Sequence, residues 1–248
     1  MFDVDGTICF DGQTIEPDIL DALRLLRTCA RLVFASARPI RDLLPVLPAD
    51  LHECTLLGGN GAFVRDHGAI DVIGIAPESR VALDELIDRR GLRVLIDGDW
   101  NYHFTGDPAH RIHRQVDAGH LARNVARDEI PTYSKVVLFT TDPEVLEELR
   151  CLGLSWHEHG AEGLVDIAPV GITKHAALAR IGVADGSYIA FGNDSNDVTM
   201  LRGAAVGYCV ADHEALAFAD HHIERGEVAA TIAALARQRL RPQEPGGF

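Results

Sequence analysis

The sequence predicts an α/β fold, a doubly wound parallel sheet whose chain is interrupted by an inserted α+β module. Three observations predict it. Short apolar runs alternate with helical patterns at both ends of the chain, the texture changes between about residues 66 and 160, and acidic or hydroxyl residues stand where apolar runs stop. Alternating strands and helices give a parallel sheet covered on both faces, with ligands at the carboxyl ends of its strands. At 248 residues with 47% hydrophobic content, the chain can bury a sizeable core in one or two domains.

In chain order, the first strand is short. Only Met1 and Phe2 precede Asp3, whereas a strand of such a sheet ordinarily has about five residues. Either the strand is unusually brief or the natural start lies upstream. "PDILDALRLLRTCA" follows as a helix behind Pro17, with Ile19, Leu20, Leu23, Leu26 and Ala30 at helical spacing, and "LVFASA" (32–37) is the next strand. The rhythm returns near the end of the chain. There "TKHAALARIG" reads as helix, "YIAFG" as strand, "NDVTMLRGA" as helix, "AVGYCV" as strand and "GEVAATIAALARQRL" as helix.

Between those halves lie "DELIDRRG", "RVLIDGDW", a polar helix-like run from Pro108 to Ile130, "KVVLFTT", "DPEVLEELRCLG" and "LSWHEHG". Strands separated by one helix at a time, without a Gly-rich turn, mark a separate α+β module. The expected division is 1–65 with 161–248 against 66–160. The tail "RPQEPGGF" is expected to fray.

Composition excludes several function classes. No run of eighteen apolar residues and no basic-then-apolar leader occurs, so no membrane span or secretion is expected, and the expected location is cytoplasmic. A net charge of −14 argues against nucleic-acid partners, whose binding rests on clustered Lys and Arg. The five cysteines are scattered and lack C-x-x-C spacing, which fits reduced thiols. The sequence carries no signal for oligomeric state.

Four places could act together. Asp3 and Asp5 in "DVDGT" stand just past a strand end. One carboxylate can attack phosphorus while the second protonates the leaving oxygen and later activates water. The plainer reading is an Asp-Gly turn. Ser36 in "ASARP" and the adjacent N–H of Ala37 could bind a phosphate oxygen, and Arg38 could add charge. Lys174 in "GITK" could offset charge on a transferring phosphoryl group, or be a solvated lysine. Asn193, Asp194, Asn196 and Asp197 in "GNDSND" could hold Mg²⁺ with Asp3, or cap a helix. Their shared position at strand ends of one sheet is the stronger signal.

These residues resemble the four motifs of the haloacid dehalogenase superfamily of phosphohydrolases, in particular its Cof-type members with an inserted α+β cap. "DVDGT", "SARP", "GITK" and "GNDSND" fall in the family's order, and "GGNGAFVRD" (58–66) resembles its Asn-Gly-Ala segment. The resemblance implies a Rossmann-like core, Asp3 as nucleophile and Asp5 as general acid/base. It implies Ser36, Ala37, Arg38, Asn60, Lys174 and Asn196 around the phosphoryl group. Mg²⁺ would be held by Asp3, the carbonyl of Asp5 and the fourth motif. There the sequence departs from the pattern, because Asn193 stands where Asp is usual. Either Asn193 ligates the ion or Asp194 takes over, with Asp197 near Lys174. Ser36-Ala37 likewise replaces the common Thr-Gly.

In this family the cap selects the leaving group. The inserted module is rich in His (His103, His110, His113, His120, His157, His159) and holds Trp100 and Trp156, which suit sugar faces and hydroxyls. The expected partner is therefore a small phosphorylated metabolite, foremost a sugar phosphate. A phosphomutase using the same phospho-aspartate, or a phosphatase of a non-sugar metabolite, is the alternative. A non-enzymatic phosphate sensor is expected to lack Asp3 or Asp5, and both are present. His110 and His113, three apart on the expected helix, could form a metal pair or lie on a solvated face.

Overall fold

A computed structural model describes residues 1–160 and 163–240, and the tail expected to fray lies outside the described residues. The chain begins with β1 (Phe2–Asp3), α1 (Pro17–Arg27), β2 (Val33–Ala35), α2 (Ile40–Leu43), β3 (Thr55–Gly58), β4 (Phe63–Asp66) and β5 (Ala69–Val72). Next come α3 (Pro77–Arg90), β6 (Val94–Asp97), β7 (Tyr102–Phe104), β8 (Lys135–Leu138), α4 (Pro143–Arg150), β9 (Ser155–His159) and β10 (Leu164–Ala168). The chain continues with α5 (Lys174–Arg180), β11 (Ile189–Gly192), α6 (Val198–Gly203), β12 (Val206–Val210), β13 (His221–Ile223) and α7 (Val228–Leu240).

Two sheets result. The first has the order β13-β12-β11-β1-β2-β3-β4-β5, parallel from β13 to β3 and antiparallel across β3, β4 and β5. The second is antiparallel, in the order β7-β6-β8-β10-β9. Composition changes before the sheets do: β5 stays in the first sheet beyond residue 66, and β10 belongs to the second beyond residue 160. Hydrogen-bond register, which composition does not encode, sets both limits.

Helices cover both faces of the first sheet. On one face α1 buries Ile19, Ala22, Leu23 and Leu26 against the sheet and α7, whose Val228, Ile232 and Ala236 face inward. Pro17 fits the first turn of α1 because it has no N–H to leave unpaired there. On the other face Ala177 and Leu178 of α5 pack with Met200 and Leu201 of α6. Burying a side chain such as Leu23 stabilises by about 1.5–3 kcal/mol.

In the second sheet alternate residues divide the work. Val94, Ile96, Val136, Leu138, Val165 and Ile167 pack on one side with α3 and α4, while Leu95, Val137 and Leu164 line the opposite face. The expected helix over Pro108–Ile130 does not form. The stretch holds two short 3-10 turns, Arg111–Arg114 and Arg127–Glu129, and its backbone is left-handed at Asp117 (φ 52) and His120 (φ 51). Instead of one helical face, Ile112 and Val116 pack on one side of the sheet and Val125 and Ile130 on the other, with the left-handed turns between them.

Candidate active site

Strand β1 lies between β11 and β2, and the connections leave it in opposite directions, which makes its carboxyl end a topological switch point. Asp3 ends the strand. Beyond it the N–H groups of Thr7, Ile8 and Cys9 all turn back to the carbonyl of Val4. Gly6 makes that turn at φ 84, and a Cβ there would stand 2.4 Å from the Asn193 amide. Only glycine allows the fourth motif to approach so closely.

Asp3 is 4% exposed, and Lys174 and Asp197 are fully buried. The ammonium of Lys174 donates to Asp3 Oδ1 at 2.5 Å, Asp197 Oδ1 at 2.6 Å and Asn196 Oδ1 at 2.7 Å. Thr7 donates to Asp3 Oδ2 at 2.9 Å. Two carboxylates thus share one ammonium. Burial pushes Asp3 up to about 7 against the pull of Lys174, and Asp197 adds to the rise. Burial also opposes charge on Lys174, but Asp3 and Asp197 outweigh it and hold its pKa above the usual range.

Asp5 points the other way. Its carboxylate accepts from Ser36 Oγ at 3.0 Å and, in a two-point grip, from Arg38 Nε at 3.0 Å and Nη2 at 2.6 Å. Arg38, expected at the phosphoryl group, instead holds Asp5 and also donates to the Gly12 carbonyl at 2.7 Å. Its planar fork matches a carboxylate facing it across β1 and β2. The Ser36 hydroxyl also receives the Arg38 backbone N–H at 3.0 Å, so Ser36, Ala37, Arg38 and Asp5 form one strand-end cluster. Asn60, left-handed at φ 54 just past β3, hangs on the Ser36 carbonyl through its N–H. Its side-chain Oδ1 is buried with no hydrogen-bond partner among the described residues.

In the fourth motif the structure separates residues that the sequence groups. The Asn193 amide reaches the Asp3–Asp5 loop, 2.9 Å from Asp3 Oδ2, 3.0 Å from the Asp5 carbonyl oxygen and 3.0 Å from Thr7 Oγ1, with its nitrogen turned inward. Asp194, offered as its alternative, accepts from the Asn196 N–H at 2.8 Å and caps the following turn. Asp197 places Oδ1 on Lys174, and its Oδ2 accepts the backbone N–H of Asn193 at 2.9 Å. Among the described residues neither carboxylate shares a hydrogen bond with the Asp3–Asp5 loop, and Asp197 reaches Asp3 only through Lys174. Sequence reasoning passes over Thr7, although it completes the "DVDGT" run that carries the signal.

The donor set suits a hard cation. With its oxygen turned inward, Asn193 would join Asp3 Oδ2 and the Asp5 carbonyl at 2.9–3.0 Å, about the edge of an octahedron with ligands near 2.1 Å. Opposed oxygens at that spacing need a cation between them. His110 and His113 form no such pair. His110 caps its turn by accepting from the Ile112 N–H at 3.3 Å, and His113 lies against Phe104 with ring centres 4.9 Å apart.

The second sheet closes over this end. Arg41 of α2 is buried between the sheets. It pairs with Asp97 of β6, holds Asp42 through Nη2 at 3.1 Å and donates to the Trp100 carbonyl at 3.0 Å. Asp42 in turn accepts the N–H of Asp117 at 2.8 Å. No sequence motif announces this cluster. Between the sheets lies a cavity of about 360 Å³, with Asp5, Ala37 and Arg38 on one wall and Leu95, Lys135 and Asp166 on the other.

An acid pair at a switch point, a buried lysine and a covered cavity define a phosphoryl-transfer enzyme of the α/β class. The chain belongs to the haloacid dehalogenase-like hydrolases, whose family profile matches residues 1–232. It is 21% identical over 210 residues to a phosphoglycolate phosphatase of Methanospirillum hungatei, covering 85% of this chain and 82% of that one. It is 23% identical over 246 residues to the pyridoxal phosphate phosphatase YbhA of Escherichia coli, covering 85% and 86%. The solved structure of the subclass IIB sugar phosphatase BT4131 superposes with a TM-score of 0.71 at 19% identity, covering 96% and 97%. The chain is therefore an enzyme that hydrolyses phosphate monoesters, with the Cof-type fold. No helix among the described residues is long and apolar enough to cross a membrane.

Proposed function

We propose that this hydrolase is a Mg²⁺-dependent phosphomonoesterase of small phosphorylated metabolites, with sugar phosphates as its substrate class and Asp3 as its nucleophile. The carrying observation is the buried Asp3 carboxylate, fixed by Lys174 and Thr7 at the switch point. Asp3 forms a bond to phosphorus as the bond to the leaving oxygen breaks, giving an aspartyl-phosphate. Asp5 gives that oxygen a proton, then takes one from the water that attacks the intermediate. To do so its carboxylate exchanges the grip of Arg38 for the leaving group.

Lys174 and Asn196 balance and orient the transferring group, with Ser36, the Ala37 N–H and Asn60 at the neighbouring strand ends. Asp3, the Asp5 carbonyl and Asn193 would hold Mg²⁺, which neutralises phosphate charge when bound. The second sheet, residues 66–160 with the later strand β10, acts as the cap. Five free cysteines fit a reducing compartment, and we assign the enzyme to the cytoplasm. The named relatives act on three different phosphate esters, so the leaving group is read from this chain's own cavity. The test is phosphate release from a panel of sugar phosphates, with Mg²⁺ and with chelator. Release that needs Mg²⁺ and no bisphosphate activator supports the reading, and release undiminished by chelator overturns the metal's part.

A further inference from the structure

We infer that Lys135 and Asp166 form a cap-borne clamp for adjacent hydroxyl groups of the leaving alcohol, and that this pair is the specificity determinant of the enzyme. The inference rests on the phosphomonoesterase reading above and names what that site selects. Lys135 begins β8 and Asp166 lies in β10, both on the sheet face that looks into the cavity. Register sets them diagonally across neighbouring strands, since Asp166 stands opposite Val137, two residues along from Lys135. Their charges meet at 3.1 Å, with His159 at 3.6 Å from the same carboxylate oxygen.

The pair has capacity left over. An ammonium has three N–H donors, and Asp166 uses only Oδ2 in its ion pairs among the described residues, leaving Oδ1. Burial opposes the charge on Lys135, yet Asp166 and Asp97 more than offset it, so the ammonium stays protonated. A leaving alcohol with neighbouring hydroxyls answers both groups at once, one accepting from Lys135 and the next donating to Asp166. Its C–H edge meets Leu95, Val137 and Leu164.

Other leaving groups fit less well. A carboxylate-bearing alcohol such as glycolate competes with Asp166 for Lys135 and leaves that carboxylate without its cation, and a plain alkyl alcohol desolvates the ion pair without replacing its hydrogen bonds. The clamp therefore favours a neutral polyol.

The experiment compares kcat/KM for a hexose 6-phosphate, its analogue lacking one ring hydroxyl, and p-nitrophenyl phosphate. In Lys135→Met the ratio of hexose phosphate to p-nitrophenyl phosphate should fall about ten- to a hundredfold, the worth of a hydrogen bond to a charged group. Asp166→Asn, which keeps the shape of its side chain, should move the ratio the same way and carries the test if the first variant does not fold. The deoxy analogue that suffers on the wild type should lose nothing further on Lys135→Met, because both changes remove one contact. An unchanged ratio, a proportionate loss on all substrates, additive penalties, or a wild-type preference for phosphoglycolate overturns the clamp. Failure of the underlying reading looks different: Asp3→Asn would then still hydrolyse p-nitrophenyl phosphate, whatever the ratios.

Discussion

The two walls of the cavity are built on opposite principles. Behind the first-sheet wall of Asp5, Ala37 and Arg38, Asp3, Lys174 and Asp197 are almost wholly withdrawn from water, and each is held by two or more partners. On the second-sheet wall Lys135, His159 and Asp166 are half-buried and joined by single ion pairs on one pleated face. A group tied at several points keeps its geometry but cannot change without disturbing its neighbours. A side chain on an open sheet face can be exchanged while the strand beneath it stays paired. The contrast separates a rigid cluster, where we propose that the reaction is fixed, from an open sheet face, where we propose that the substrate is chosen.

The harshest way to break that contrast is Asp3→Asn. Turnover should fall about a thousandfold or more, since an amide of the same shape cannot attack phosphorus, and the circular dichroism should not change. The same variant sharpens the picture through stability. The folded pKa of Asp3 lies above its ordinary 3.8, at about 7, so the folded metal-free protein holds this proton more tightly than the unfolded chain. Its stability should then decline as pH rises from about 4 to about 7 and level off above. Urea titrations in chelator should find that slope reduced in Asp3→Asn. An equal slope in both proteins would remove the burial argument.

The joint between the walls comes next. Arg41→Met leaves Asp97 and Asp42 buried without their cation, which should destabilise by about 3–5 kcal/mol. A loss within about 0.5 kcal/mol would mean that Arg41 does not pin the second sheet to the first. A smaller effect is expected in the fourth motif. Asn193→Asp should lower the Mg²⁺ concentration for half-maximal activity severalfold by adding an anion. Asp194→Ala should leave it alone and cost about 1 kcal/mol as a lost helix-turn cap. The reverse pattern in a Mg²⁺ titration would exchange the two assignments. Least of all should follow from His157→Ala, exposed on β9, with stability unchanged to within about 0.5 kcal/mol.

The sequence is most legible where the chemistry is local. "DVDGT", "SARP" and "GNDSND" each stand at a strand end of the first sheet, as their order along the chain suggests, but "GITK" does not: Lys174 opens α5 after β10, which belongs to the second sheet, so the expectation of four strand ends of one sheet holds for three. Orientation within a motif is harder to read. Nothing in "GNDSND" distinguishes the inward Asn193 from the capping Asp194, because both side chains suit either role. Arg38 is expected beside the phosphoryl group, but the partner it holds is Asp5, 33 positions earlier in the loop after β1. Arg41 and Asp97 are 56 positions apart, and a buried pair at that distance leaves no periodic trace. The polar run after Pro108 reads as helical, but its apolar residues pack on opposite sides of the second sheet, a long-range arrangement that local spacing does not show.

The central position of β1 also has a consequence for how the molecule comes into being. Its two residues pair with β2 on one side and with β11 on the other, and Lys174 lies 171 positions after the carboxylate it touches. A ribosome adding about 5–20 residues per second separates those two side chains by roughly ten to thirty seconds. During that interval the nascent strand has only β2 beside it, and the inserted α+β unit is translated in full before the other neighbour exists. Asp3 therefore waits, unpaired with Lys174, until the last third of the chain arrives. A polypeptide halted before β11 would hold the first motif, the whole insert and Lys174 yet lack the Asn193, Asn196 and Asp197 that complete the cluster around them.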